Sequence, residues 1–275
     1  MGMSIRTNVA SLNAQRNLFQ TQSSLDSSLS KLSSGYRITK AGDDAAGLGI
    51  SVNLEAQIRI YSQAARNAQD GISVVQTGEG AMNEVSNILT RMRELAMESA
   101  SDGVTDTERA YIQEENSALI TEIGRIAAAT EFNGTKLLDT AGTALTFQVG
   151  IRNVAANDRI TLSTVDVTAS TLGVDGLSLS SAASSRAALD TIDDALKDIS
   201  KARATFGATG NRMSNVIAQI QSAAENLSAA NSRIRDVDVA EESSRMTRSQ
   251  ILMQAGVSVL AQANQQPQVA LKLIG

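Results

Sequence analysis

The chain has 275 residues and a formal charge of -5, with 42% hydrophobic but only 3% aromatic residues and no cysteine, histidine or tryptophan. It can therefore form no disulfide, no cysteine-ligated zinc site and no histidine-dependent catalytic dyad, and its acidic balance does not suit nucleic acid. No run approaches the ~20 apolar residues of a membrane-spanning helix, and so few aromatic residues favour the thin aliphatic interfaces of helical bundles and coiled coils.

The first predicted element is an amphipathic helix over residues 4–32. Its apolar residues recur at helical spacing in two stripes. The first stripe contains Ile5, Val9, Leu12 and Phe19, and the second contains Leu18, Leu25, Leu29 and Leu32. An isolated amphipathic helix is only marginally stable in water, so this one needs a partner to cover its apolar side chains.

A glycine-rich turn with two adjacent carboxylates, Asp43 and Asp44, follows in the stretch LSSGYRITKAGDDAAGLGIS (32–51). A calcium loop of the EF-hand type would need acidic residues at alternating positions and a glutamate at the twelfth, and this stretch has neither. We therefore expect both aspartates at the start of a helix, where they accept hydrogen bonds from backbone N–H groups and complement the helix dipole.

Two helices with apolar seams are predicted next, over about 58–95 and 105–126. Gly78 and Gly80 lie within the first seam and weaken that helix by about 1 kcal/mol each relative to alanine. The second helix begins at Thr105, which has capping-box spacing to the glutamate three residues later.

A β-hairpin and the longest helix complete the middle of the chain. Alternating apolar and polar residues predict strands in ALTFQVG (144–150) and DRITLSTVDV (158–167). From Leu189 to Ile234, apolar residues then lie alternately three and four positions apart. This sustained heptad seam predicts a long helix of the coiled-coil type.

The last predicted helix also has an apolar stripe that nothing nearby in the sequence covers. The stripe contains Met246, Ile251, Leu252, Ala255, Val259 and Leu260. In the simplest arrangement the two terminal helices pair, and their remaining apolar side chains are buried against other copies of the chain. The two end segments are therefore predicted to be polymerisation helices.

Several long motifs resemble those of bacterial flagellins. The N-terminal half of that family is similar to IRTNVASLNAQRNL (5–18), the 32–51 stretch, SQAARNAQDGISVVQTGEGAMNEVSNILTRMRELAMESA (62–100) and EFNGTKLL (131–138). The family's C-terminal signature is similar to ANSRIRDVDVAEESSRMTRSQILMQAGVSVLAQANQQPQVALKLIG (230–275). One departure is Gln266, where many members have valine before the proline.

The patterns and the resemblance indicate a mainly α fold: a long coiled-coil-like helical bundle with a small β-hairpin region and termini that pair as helices. The resemblance assigns residues 1–42 and 232–275 to an inner helical domain, and residues 43–185 and 186–231 to a core domain. Within the core domain, the variable stretch 139–185 is too short for the outer domains that family members usually carry.

The resemblance implies a structural subunit that polymerises into the helical flagellar filament, without enzymatic activity or a cofactor. It also implies export through the flagellar type III apparatus, a secretion chaperone bound around residues 240–275, and contacts with cap and hook-associated proteins. The expected location is the extracellular flagellum, naked or sheathed. Arg91, Leu95 and Glu115 match positions through which family members contact a vertebrate Toll-like receptor, and the same face would lie between subunits in the filament.

Other functions fit these residues less well. A hook–filament junction protein would share the terminal helices, but RNAQDGIS and AQANQQPQ favour the major filament subunit. A protease-bearing member would need a His-Glu-x-x-His motif, which a chain without histidine does not have. A membrane-active amphipathic protein would need a polar face rich in lysine and arginine, which the end helices lack.

Overall fold

The computed structural model describes residues 7–274, with side chains as far as Gln265, and it is mainly helical. The elements in chain order are α1 (Val9–Ser34), α2 (Ala45–Ser99), α3 (Asp106–Ala129), β1 (Glu131–Phe132), β2 (Thr135–Lys136), β3 (Ala144–Gln148), α4 (Ala155–Asp158), β4 (Arg159–Ser163), α5 (Ala182–Arg235) and α6 (Val239–Ile274). The predicted fold class, mainly helical with a small β-hairpin region and paired terminal helices, is confirmed.

The chain forms two compact units. The first consists of the residues up to Ile58 together with those from Glu225 onward, and the second is Arg59–Ala224. The division therefore lies inside α2 and inside α5. The domain limits that the sequence predicts, after residues 42 and 231, lie at other positions: the first is in the connection before α2 and the second is near the end of α5. Those two limits stay predictions.

The core of the second unit lies between α2 and α5. Along α5, the predicted seam is helical and buries Ile192, Ile199 and Phe206. The same cluster also includes Val85, Leu89, Met92, Leu95, Ile123, Leu137, Leu138, Leu162 and Val174. Since full burial of one such side chain contributes about 1.5–3 kcal/mol, this cluster is the main stabilising feature of the unit.

Glycines let α2 and α5 approach closely in this unit. A Cβ atom added at Gly78 would lie 2.5 Å from Cε1 of Phe206, and one at Gly71 would lie 2.6 Å from Cε of Met213. Carbon atoms in contact normally lie about 3.5–4.0 Å apart, so no larger residue fits without a shift. Gly78 is thus a packing position, which the sequence did not predict. At Gly80 a Cβ would meet nothing within 4 Å.

A buried arginine satisfies backbone carbonyls at the C-terminal end of α2. Arg109 donates hydrogen bonds from Nε to the Ser99 carbonyl at 3.0 Å and from Nη2 to the Ser101 carbonyl at 2.7 Å. The last carbonyls of a helix have no partner within it, so Arg109 supplies donors that they need. The predicted capping box is confirmed: Thr105 accepts from the Glu108 N–H, and the Glu108 carboxylate accepts from the Thr105 N–H.

Between α3 and α5 the described chain contains two antiparallel hairpins. The predicted hairpin is formed by β3 and β4, in the register Ala144↔Ser163 to Gln148↔Arg159. The smaller hairpin of β1 and β2 was not predicted. Its turn is Asn133-Gly134, with φ angles of 49° and 78°, and Asn-Gly is the typical sequence of such a turn because both positions need positive φ.

Candidate functional site

The turn between α1 and α2 uses its two aspartates to bind the backbone. Oδ2 of Asp43 accepts hydrogen bonds from the N–H groups of Thr39 and Lys40, both at 3.0 Å. Oδ1 of Asp44 accepts one from the Gly47 N–H at 2.8 Å, at the start of α2. The hydrogen bonds from Thr39 and Lys40 lower the pKa of Asp43. Both carboxylates are therefore structural, but only Asp44 has the predicted helix-start role, because Asp43 binds the backbone of the turn before α2.

The carboxylates with shifted pKa values lack the character of catalytic acids. Hydrogen bonds lower the pKa of Glu108 through Thr105 and that of Asp193 through Arg93, whereas a general acid needs a raised pKa. In the part of the chain that the structure describes, no group of three or more acidic side chains could hold a metal ion. No helix in that part is long and apolar enough to cross a membrane.

The first unit contains the antiparallel pair of α1 and α6. At one end, Nδ2 of Asn8 donates to the Ala263 carbonyl at 2.8 Å. Nearer the other end, the Ser28 hydroxyl donates to Oε1 of Glu242 at 2.6 Å, and both side chains are buried. The two terminal helices thus lie side by side, as the sequence predicts.

One face of each terminal helix packs against its partner. The apolar residues that are buried or half-buried in the pair include Leu18, Leu25 and Leu32 in α1 and Met246, Met253 and Leu260 in α6. Their spacing of seven residues, close to two helical turns, is that of a single face of an α-helix. This face accounts for only part of the predicted seams.

The other predicted polymerisation residues are exposed. Phe19 is 79% exposed and Ile251 is 60% exposed. The full exposed set is Val9, Leu12, Phe19 and Leu29 in α1 and Ile251, Leu252, Ala255 and Val259 in α6. We call these residues the outer stripes. Ile5 lies outside the described residues, as does the side chain of Gln266. Apolar side chains clustered in this way are typical of an interaction surface.

The helix pair has an apolar level and a polar level. Because the helices are antiparallel, residues 9–19 lie beside residues 251–260, and residues 23–31 lie beside residues 241–249. The second level has an open polar cavity lined by Ser23, Ser24, Ser27, Ser28, Lys31, Glu242, Arg245, Arg248 and Ser249. This polar cavity was not predicted, although the serine-rich run SSLDSSLS was its signal in the sequence.

The base of the pair is fastened by contacts around Arg235. Tyr36, after α1, forms a β-bridge with Asp236, after α5. The guanidinium carbon of Arg235 lies 4.2 Å from the centroid of the Tyr36 ring, and its Nη1 lies 3.0 Å from Oε2 of Glu55. These contacts hold the two connections of the first unit together.

Arg91 and Glu115 form an exposed ion pair between α2 and α3. Nε of Arg91 lies 2.9 Å from Oε1 of Glu115, and its Nη1 lies 3.2 Å from Oε2 of Glu94. Hydrogen bonds to Glu115 and then to Glu94 raise the pKa of Arg91. Leu95 is only 2% exposed and packs in the core beneath, so its side chain is not presented to a partner in this structure. Partner contact through these residues stays a prediction.

Comparisons with known proteins agree along nearly the whole chain. Residues 5–143 match the bacterial flagellin N-terminal helical region, and residues 189–274 match the bacterial flagellin C-terminal helical region. The flagellin of Halalkalibacterium halodurans is 44% identical over 272 residues, covering 99% of this chain and 100% of the relative. The flagellar filament 33 kDa core protein of Treponema phagedenis is 40% identical over 288 residues, with the same coverage.

A solved structure shares the fold. The crystal structure of Bacillus cereus flagellin is similar with a TM-score of 0.51 and 34% identity, and the match covers 60% of this chain and 94% of that chain. Residues 144–188, which include the β3–β4 hairpin, lie between the two regions matched by the family.

Proposed function

We propose that this member of the bacterial flagellin family polymerises through the outer stripes of α1 and α6. The chain belongs to that family as a structural subunit of the extracellular flagellar filament, and it is not an enzyme. It is a short form without large outer domains. The alternative, a hook–filament junction protein, is not favoured, because the relatives matched over their full length are flagellins and a filament core protein.

The observation that carries the proposal is the exposure of apolar residues on both helices, all of them except Leu29 at one level of the pair. Covering a side chain of this size contributes about 1.5–3 kcal/mol, while association itself costs about 4–15 kcal/mol. Several outer-stripe residues must therefore be covered together to hold a subunit in place. A contact between two different surfaces that does not close into a ring repeats into a helical filament.

Single substitutions in the outer stripes test this proposal. Phe19→Ser and Ile251→Ser should each raise the critical concentration for salt-induced polymerisation about tenfold or more, since each removes at least ~1.4 kcal/mol of burial. Phe19→Leu, which keeps most of the apolar area, is the matched control. Sedimentation and electron microscopy measure the polymer, and circular dichroism checks the fold. Filaments of the serine variants at the wild-type critical concentration would contradict the proposal.

Arg91 and Glu115 are proposed to contact both the neighbouring subunit and a vertebrate Toll-like receptor. Their exposure and their match to the family's receptor-contact positions support this role, with Leu95 supporting the surface from below. The double variant Arg91→Ala, Glu115→Ala should weaken receptor signalling and filament formation. Its control is the same change at Glu122 and Arg125, an exposed ion pair within α3. Unchanged signalling in a reporter-cell assay would reject the receptor contact.

The remaining partners are proposed to bind the terminal helices. A secretion chaperone would cover the outer stripe of α6 within residues 240–275, since the side chains that polymerise outside the cell must be shielded inside it. Cap and hook-associated proteins would contact the same helices at the ends of a naked or sheathed filament. Ile251→Ser should then weaken chaperone binding measured by calorimetry, and equal affinity would argue against this assignment.

A further inference from the structure

The α1/α6 pair has two distinct grooves. The first belongs to α6 and is lined by Ser244, Thr247, Arg248, Ile251 and Leu252. The second belongs to α1 and the turn after it and is lined by Phe19, Gln22, Ser23, Asp26, Ser27, Ser30, Thr39, Lys40 and Asp43. Leu25 and Glu242 mark the faces of α1 and α6 that are in contact. Since an α-helix has 3.6 residues per turn, the residues that line the two grooves lie on opposite edges of the antiparallel pair.

The two grooves carry opposite charges at one level. Arg248 is the charged residue of the α6 groove. It also lines the polar cavity between the helices together with Lys31 and Arg245, and Arg245 pairs with Glu241 at 2.6 Å. Arg248 has no ion-pair partner among the described residues. The α1 edge carries the exposed Asp26, whose Oδ1 accepts a hydrogen bond from Gln22 at 2.9 Å. Asp43 and Lys40 lie beside it and largely offset each other.

The charged and apolar residues have the same order in both grooves. Asn8 and Ala263 meet at one end of the pair, so residues before Asp26 in α1 and after Arg248 in α6 run toward that end. Phe19 lies about 10 Å from Asp26 along its helix, and Ile251 and Leu252 lie about 5 Å from Arg248 along theirs, at ~1.5 Å per residue. The long Arg248 side chain spans the difference of about 5 Å between these two separations. Two copies set side by side in parallel thus bring opposite charges and apolar residues together.

We propose that the two grooves are the halves of one contact between neighbouring copies, in which Arg248 of one copy faces Asp26 of the next while Ile251 and Leu252 cover Phe19. The inference rests on the proposed polymerisation through these helices and adds which edges meet. The contact joins two different surfaces, so a pair of copies still has one unused groove at each end, to which further copies can add. The ion pair fixes the register, and the apolar residues supply most of the attraction.

Charge reversal tests the pairing. Arg248→Glu alone places two carboxylates together and Asp26→Arg alone places two guanidinium groups together, so each should raise the critical concentration for polymerisation about tenfold or more. The double variant Arg248→Glu, Asp26→Arg should return it close to the wild-type value. Arg248→Lys, which keeps the charge, is the control. Added salt should reduce the effect of each single reversal, because the edges are open to solvent.

The outcomes separate this inference from the proposed function. If the wild type forms filaments and Arg248→Glu assembles equally well, the pairing is wrong, while the proposed polymerisation through the outer stripes is unaffected. The pairing is also wrong if both single variants assemble poorly and the double variant does not recover the wild-type critical concentration, because Arg248 would then face another group. A wild-type chain that forms no filaments would instead contradict the proposed function itself.

Discussion

Two glycines in one helix should respond to alanine with opposite signs. Gly78 and Gly80 are two residues apart in α2, and alanine at either position gains about 0.8–1.0 kcal/mol of helix propensity. At Gly80 the added methyl meets nothing within 4 Å, so Gly80→Ala should stabilise the chain by roughly that amount. The same methyl at Gly78 lies 2.5 Å from Cε1 of Phe206.

The steric cost at Gly78 follows from the surroundings of the ring. Phe206 is fully buried, so its ring has no open space into which it can move by the ~1 Å that a normal carbon contact requires. Overpacking of this kind costs about 1–3 kcal/mol. After the gain in propensity, Gly78→Ala should destabilise by about 1 kcal/mol. The propensity gain is common to both variants, so their difference isolates the steric cost.

Urea denaturation followed by circular dichroism, below the critical concentration, measures both variants. The two midpoints should lie on opposite sides of the wild-type value with unchanged slope, which shows that stability rather than compactness has changed. Phe206→Leu should cost less in the Gly78→Ala background than alone, because it makes room for the methyl. Equal stabilisation by Gly78→Ala and Gly80→Ala would show that the Phe206 ring does not oppose a methyl group at position 78.

Three further predictions concern α3. Thr105→Ala removes its N-cap and should lower the free energy of unfolding by about 1 kcal/mol in urea denaturation. The Thr105 N–H lowers the pKa of Glu108, so this contact stabilises fully above the ordinary glutamate pKa and is lost as pH falls through the lower folded value. The stability difference between wild type and Glu108→Gln should therefore shrink in acid, and a constant difference would contradict it. Arg109→Met leaves two carbonyls at the end of α2 without their donor and should cost about 1–3 kcal/mol, unlike Arg125→Met at an exposed position.

Local patterns predicted the elements that depend on nearby residues. The three–four spacing from Leu189 to Ile234 is sufficient to predict α5, because a helix that buries one face needs apolar residues at that period. Thr105 caps α3 through contacts with Glu108, three positions later, and this spacing can be read directly from the sequence. The hairpin of β3 and β4 follows from alternation, whereas the hairpin at Asn133-Gly134 was not predicted, although Asn-Gly is typical of such a turn.

Features that depend on distant residues could not be predicted. The role of Gly78 is set by Phe206, 128 positions away, so nothing next to Gly78 in the sequence reveals it. Which apolar residues of the terminal seams are buried between α1 and α6, and which form the outer stripes, depends on how the two helices are rotated against each other. Leu25 is therefore buried while Leu29, one turn later in the same predicted stripe, is exposed. The opposite charges of the two edges follow from the same rotation.

Burial of the outer stripe of α6 between copies can be measured directly as its accessibility before and after polymerisation. The chain contains no cysteine, so Ala255→Cys introduces a single thiol at an exposed position of that stripe. This thiol should react rapidly with a water-soluble maleimide in the free subunit and be strongly protected in filaments of the same variant. Equal labelling rates in subunit and filament would show that no neighbouring copy covers the stripe, and would contradict polymerisation through it.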